Sequence, residues 1–311
     1  MERIVIPQKA TYAPVALTDL FLGAPMASRL VLGATVPGQI VAAGAFGYYV
    51  GSAARDWFAR RGVRPIDFQE AFGADVDTLE EMGNDARRRE TRELAARLSD
   101  EWTEERVDRE TAAREINQLL TDLIASITQQ EIITSDAIRD FTISRIAFPF
   151  AIGSCDAISG DVAIFQDTGV LEPHVIAHEF CHRKGYLKEL HAQALAFLAL
   201  RNSGHPVYVQ AARAERLSRN LSVLSNRNPA LFELEFAGLP LRTEARNWLS
   251  QYGPSDEKPG RVSEALRKVY DQRMKLTGQN GVSDYDRGFT NFLYTFRHSA
   301  TATQDRTLTD W

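Results

Sequence analysis

Apolar positions are distributed very unevenly along this chain. From Leu30 to Ala54 (LVLGATVPGQIVAAGAFGYYVGSAA) no charge occurs between Arg29 and Arg55. The length suffices for a bilayer-spanning helix, while Pro37, Gln39 and the abundant Gly and Ala fit a buried small-residue core segment equally well. Polar, loop-like sequence follows around Pro65 to Gly73. From Thr78 to Glu115 charges of both signs interleave, which predicts one or two solvent-facing helices laced by i,i+4 pairs. Arg87, Arg88 and Arg89 belong to that solvated face, because neighbouring acids cancel their field. Next, Ile116, Leu119, Leu120, Leu123, Ile124 and Ile127 recur at spacings of three and four, the pattern of a helix with one buried face.

Between Ile143 and Gly169, short apolar runs cut by Gly, Ser and Asp predict two or three short strands, with Val162 to Phe165 the clearest. Pro173 opens a helix where its missing N–H does no harm, and Gly185 closes it. A second helix runs from about Leu187 to Arg201. Helix-like blocks then cover Val207 to Ser225, Thr243 to Gln251 and Val262 to Thr277, with a loop from Tyr252 to Gly260. The expected fold is α+β and mainly helical, with a small sheet beside the Pro173 helix and a helical C-terminal half. The chain divides into an apolar N-terminal region over 1–75, a main domain over 76–300 and a frayed tail over 301–311.

Composition narrows the function classes. Lys and Arg number 36 against 41 Asp and Glu, a net charge of −5, so nothing attracts nucleic acid or anionic lipid globally. Two cysteines, Cys155 and Cys181, argue against a disulfide scaffold and a multi-cysteine zinc finger. Met1 to Ala10 does not read as a secretory signal. The expected location is the membrane if 30–54 spans it, or the cytoplasm if 30–54 is a core segment.

The chemistry lies in His178-Glu179-Phe180-Cys181-His182. On a helix the two imidazoles fall one turn apart on the same face, where both can reach one metal ion. Glu179 beside the first of them can accept a proton from an activated water as general base. Zinc is the expected ion, and a zincin-type body is the expected setting. A tetrahedral catalytic site needs a third protein ligand. His174 lies eight residues before His182, about 12 Å along the axis, too far to share the ion. Glu189 and His191 sit on the next helix, roughly 200° apart around it. The stripe Leu187, His191, Ala194, Leu195, Leu198 is apolar apart from His191, whereas Glu189 shares its face with Gln193. That reading favours His191 as the third ligand, with Glu189 as the alternative.

Other residues carry weaker signals. Val162 to Phe165 fits either an edge strand that aligns a peptide by main-chain pairing or a core strand. Tyr285 and Arg287 are within reach of an oxyanion role, with packing and a surface salt link the stronger readings. Cys181 points away from the metal as a small buried residue. His205 and His298 have no spacing that implicates them.

Beyond the pentapeptide, Gly185, the run HAQALAFLAL from His191 and the string YDQRMKLTGQNGVSDYDRG from Tyr270 carry a resemblance. The chain resembles, roughly from Asp156 to Phe296, a set of uncharacterised bacterial proteins grouped as a domain of unknown function, with N-terminal membrane segments before a His-Glu-x-x-His domain. The resemblance implies a membrane-anchored, gluzincin-like zinc peptidase. It also implies a third ligand at the acid of an acid-Ala pair, where this chain has His191.

The leading expectation is a zinc metallopeptidase acting on a peptide or protein, with His178, His182 and His191 on the metal and Glu179 as base. A non-catalytic zinc protein would have no need of Glu179. A carboxylate di-iron oxidase would need two facing Glu-x-x-His motifs, and only Glu179 to His182 supplies one. Substrate, and endo- against exopeptidase action, are not written in these residues.

Overall fold

The computed structural model describes residues 1–6, 36–139, 152–155, 160–165, 167–226, 228–254 and 278–299, together with 264, 268, 271, 272 and 274–276. The protein is mainly helical, with small two-stranded pieces of sheet. It separates into two compact units interleaved along the chain. One comprises Met1–Pro65, Arg109–Asp167 and Glu179–Tyr186; the other comprises Ile66–Asp108, Thr168–His178 and Leu187–Trp311. The chain therefore crosses between units more than once.

In the first unit, β1 (Glu2–Val5) pairs in parallel with β2 (Gln130–Ile133), from Glu2 opposite Gln130 to Val5 opposite Ile133. Gln130 is buried and locks this pair to the chain nearby, accepting from the Arg64 amide at 2.9 Å and donating to the Gly62 carbonyl at 3.2 Å. Helix α1 (Val36–Arg60) precedes that chain segment. Helix α4 (Arg109–Thr128) buries Ala112, Ala113, Ile116, Leu120 and Ile124 on one face, as the spacing predicts, and that face packs against β2. Strands β3 (Gly153–Cys155) and β4 (Val162–Ile164) form an antiparallel pair. All three residues of β4 are buried, and Val162 is flanked on its other side by Ile138, with the Arg139 amide donating to the Val162 carbonyl at 2.7 Å. At Val162, then, β4 is a core strand. The rest of the expected strand region, 143–151, 156–159 and 166, lies outside the described residues, as does the tail 300–311.

Two buried basic side chains hold this unit's loops. The Arg183 guanidinium donates to the carbonyls of Gly160, Ser135 and Ala137, each at 2.7 Å. Lys184, fully buried, donates to Thr121 Oγ1 at 2.8 Å and to the Ile132 carbonyl at 2.9 Å. Burial pulls Lys184 down to about 7.

The second unit is built around α7 (Pro206–Ser225). Helices α3 (Asn84–Asp100), α6 (Glu189–Arg201), α8 (Pro229–Ala237) and α10 (Arg287–His298) all pack on it. One apolar core joins Leu94 and Leu98 of α3, Leu217 and Leu221 of α7, Phe232 and Phe236 of α8, and Leu249 of α9 (Thr243–Ser250). The 65–73 segment is not all loop. Asp67 accepts from the Glu70 amide and caps α2 (Phe68–Phe72), which Gly73 ends at φ 69°.

Helix α3 departs from the expected solvated face. Arg87 is fully buried and donates to Asn220 Oδ1 at 3.1 Å, to Asn291 Oδ1 at 3.0 Å, to the Met82 carbonyl at 3.2 Å and to Thr290. Glu90, also buried, takes Arg216 of α7 and the Asn220 amide. The charge pattern misleads here because these ions are neutralised and hydrogen-bonded inside the unit.

Helix α1 covers most of the uncharged 30–54 stretch; residues 30–35 lie outside the described residues. Its side chains Val36, Ile40, Tyr48 and Val50 are exposed, so at these positions it is not the buried core segment weighed above. Among the described residues, no helix is long and apolar enough to cross a membrane.

Candidate metal centre

Helix α5 (Glu172–Arg183) carries the His-Glu-x-x-His motif, with Pro173 in its first turn. Its end is built by hydrogen bonds that answer the last carbonyls. The Gly185 amide donates to the His182 carbonyl at 3.0 Å and the Tyr186 amide to the Cys181 carbonyl at 3.0 Å, the paired bonds of a Schellman motif. Gly185 has φ 106°, a conformation that side chains other than hydrogen resist. This turn brings the Tyr186 carbonyl within 2.9 Å of His182 Nδ1. A carbonyl can only accept, so Nδ1 carries the proton and Nε2 keeps its lone pair for a metal.

One turn earlier on the same helix stands His178, 7% exposed. Its Nε2 lies 3.0 Å from Glu189 Oε2, at the start of α6. Among the described residues, His178, His182 and Glu189 each offer one donor atom, and these atoms all lie within 4.8 Å of one another. Two imidazoles and a carboxylate, two of the three residues buried, form a donor set suited to a small divalent ion. Glu179, beside His178, is itself 7% exposed.

His191 is held elsewhere. Its ring stacks on Phe68 with centroids 3.6 Å apart, and its Nε2 meets Asp75 Oδ1 at 2.9 Å. Burial pushes the Asp75 carboxyl up, but the hydrogen bonds from His191 and the Val76 amide outweigh it and hold Asp75 below its ordinary value. The third donor beside the two histidines is thus Glu189, the alternative in the sequence reading. Helix α6 is buried on all sides from Glu189 to Leu200, so no apolar stripe distinguishes an inward face.

The remaining candidates make other contacts. His174 is buried and bonded through Nε2 to Gln193 Oε1 at 2.6 Å; burial pushes its pKa down against the opposing pull of Glu215. Glu215 lies 3.8 Å from the same nitrogen. Burial alone would raise the Glu215 carboxyl, and Arg219 at 2.6 Å, helped by His174 and His178, holds it low. Cys181 is fully buried, which raises its thiol well above the usual range and leaves it inert. The Tyr285 ring approaches that of His178, with centroids 6.0 Å apart, whereas Arg287 makes an exposed ion pair with Glu81 at 3.4 Å. His205 caps α7 and His298 bonds to the Tyr294 carbonyl.

Two contributors escaped sequence reasoning. The Tyr186 carbonyl has no side-chain signature, and only the Gly185 stop signal marks the turn that presents it. Gln279, whose Oε1 accepts from the Glu189 amide at 2.7 Å, acts across ninety residues of sequence.

The family model of DUF3810, described as a protein of unknown function, matches residues 78–294, from before α3 to within α10. No curated protein and no solved structure matches the chain. The matched span is more than half of the 311 residues and contains every residue of the candidate centre. The chain belongs to the DUF3810 family.

Proposed function

We propose that this protein is a zinc-dependent hydrolase of peptide bonds, with His178, His182 and Glu189 as ligands and Glu179 as general base. The observation that carries the reading is the convergence within 4.8 Å of three donors, two of them on the helix that also carries Glu179 and the third at the start of α6. Nitrogen and oxygen ligands at about 2.0–2.1 Å from zinc stand roughly 3.3 Å from each other in a tetrahedron. The 3.0 Å between His178 and Glu189 suits that spacing. When bound, zinc supplies Lewis acidity that polarises a carbonyl and makes water nucleophilic near neutral pH.

The chain's own residues supply the rest. His182 is held in the tautomer that exposes Nε2 by the Tyr186 carbonyl. Glu179 takes a proton from the attacking water and delivers it to the departing amine. Three protein ligands leave room for the reacting groups, as catalytic zinc sites require and closed structural sites do not.

Purified protein titrated with Zn2+ against a chromophoric chelator is expected to bind about one ion per chain. Glu179→Gln is expected to keep that ion and lose cleavage of a fluorogenic peptide library by at least about 100-fold. Absence of zinc binding, or cleavage by the Gln variant at the wild-type rate, overturns the proposal.

A further inference from the structure

The C-terminal string around Gln279 has no place in the chemistry above, yet it touches two of the three ligands. Helix α6 begins at Glu189, and its N-cap residue, Lys188, provides no side-chain cap. The first intrahelical bond runs from the Ala192 amide to the Lys188 carbonyl, so the amides of Glu189, Leu190 and His191 need partners from elsewhere. For Glu189 that partner is Gln279 Oε1, at 2.7 Å.

The segment presenting Gln279 is pinned on both sides. The Gln279 amide donates to the Met274 carbonyl at 3.2 Å, and the Gly278 amide to that of Lys275 at 3.2 Å. Asp271 Oδ1 accepts from the Val282 amide at 2.9 Å. Asp284, fully buried, accepts from the Asn280 amide at 2.9 Å and from Asn280 Nδ2 at 3.1 Å. Gly281 at φ 85° has the Asp271 carboxylate where a Cβ would stand, so a side chain there would be strained and would displace Asp271. The same turn, Val282–Tyr285, packs on α6 and places the Tyr285 ring 6.0 Å from that of His178.

We infer that Gln279 is a positioning residue for the metal centre, whose side chain caps the first turn of α6 and so fixes where the Glu189 carboxylate stands. This inference rests on the proposed ligand set. A ligand on the first residue of a helix is carried by the turn most prone to fray. An acceptor fixed on a rigid loop and bonded to that residue's own amide removes this freedom, as partners behind metal ligands do in other proteins.

The test compares full-length wild type, Gln279→Met and Gln279→Glu. Methionine keeps the length and loses the acceptor; glutamate keeps both. Gln279→Met is expected to bind Zn2+ about tenfold more weakly, to alter the visible d–d spectrum of bound Co2+, and to speed amide exchange over 189–192 in the metal-free protein. Gln279→Glu is expected to restore all three. Wild-type affinity and spectrum in Gln279→Met, or a Gln279→Glu variant as impaired as the methionine variant, overturns the inference. Should wild type bind no metal, the proposed function falls, and amide exchange over 189–192 decides the positioning role by itself: unchanged exchange in Gln279→Met overturns it, and faster exchange rescued by Gln279→Glu supports it.

Discussion

His178 Nε2 faces Glu189 Oε2 at 3.0 Å, whereas His191, two residues further along α6, turns its Nε2 to Asp75. The two candidates for third ligand therefore separate cleanly by mutation. Glu189→Gln is expected to weaken Zn2+ binding on the order of 100-fold or more, since a charged ligand is lost. His191→Phe keeps the stack on Phe68 and loses the bond to Asp75. It is expected to leave zinc affinity within roughly threefold and to cost about 1 kcal/mol of stability. Chelator competition and urea midpoints on both variants check this, and a zinc defect in His191→Phe matching that of Glu189→Gln would return His191 to the metal.

Why the third ligand was hard to read follows from the burial of α6. Ranking faces by apolarity works on a helix with a wet side. Here Gln193 is as buried as Leu195, its polarity answered by His174, so a polar neighbour says nothing about which way Glu189 points. The motif helix was legible because its spacing and its terminal glycine are local. The β1–β2 pair was not: β1 is four residues long, mostly exposed, and pairs with a partner over a hundred residues away. Helix α4 announced itself through three-and-four spacing.

Gly185 links the end of α5 to the metal centre. In Gly185→Ala the backbone must hold φ 106° against a Cβ or abandon the turn, a cost of about 1–3 kcal/mol. If the turn opens, the Tyr186 carbonyl leaves His182 Nδ1 and the imidazole loses its fixed tautomer. Thermal unfolding is expected to show the loss of stability, and calorimetric titration a Zn2+ affinity lower by about tenfold. Unchanged affinity in a destabilised variant would detach the turn from the site.

Arg87 and Arg89 look alike in sequence and differ in place. Arg87 is buried among Asn220, Thr290 and Asn291, while Arg89 is exposed. Arg87→Ala leaves a cavity and strips three polar side chains of their partner, an expected loss of about 3 kcal/mol or more. Arg89→Ala is expected to stay within about 0.5 kcal/mol. Urea denaturation of the two variants side by side distinguishes a buried network from a solvated charge run, and equal effects would restore the solvated reading of α3.

Asp56, near the end of α1, is fully buried, and among the described residues neither carboxylate oxygen has a hydrogen-bond partner. Burial raises its pKa to about 7 against the opposing pull of Arg60, Arg55 and Arg183, with Asp161 adding to the rise. A folded pKa above the unfolded value means that the native state binds more protons between them. Its stabilising contribution is complete below about pH 4 and is lost as pH rises through about 7. Lys184 acts in the opposite sense and in another window: with its pKa pulled down to about 7, stability grows above that pH toward the ordinary lysine value. Asp56→Asn removes the first effect alone. Its urea midpoint is expected to match wild type at pH 4 and to exceed it at pH 8, by an amount on the order of 2 kcal/mol in unfolding free energy. Because Lys184 is common to both proteins, its contribution cancels in the difference. A difference that stays constant from pH 4 to pH 8 would mean that Asp56 does not titrate in this window.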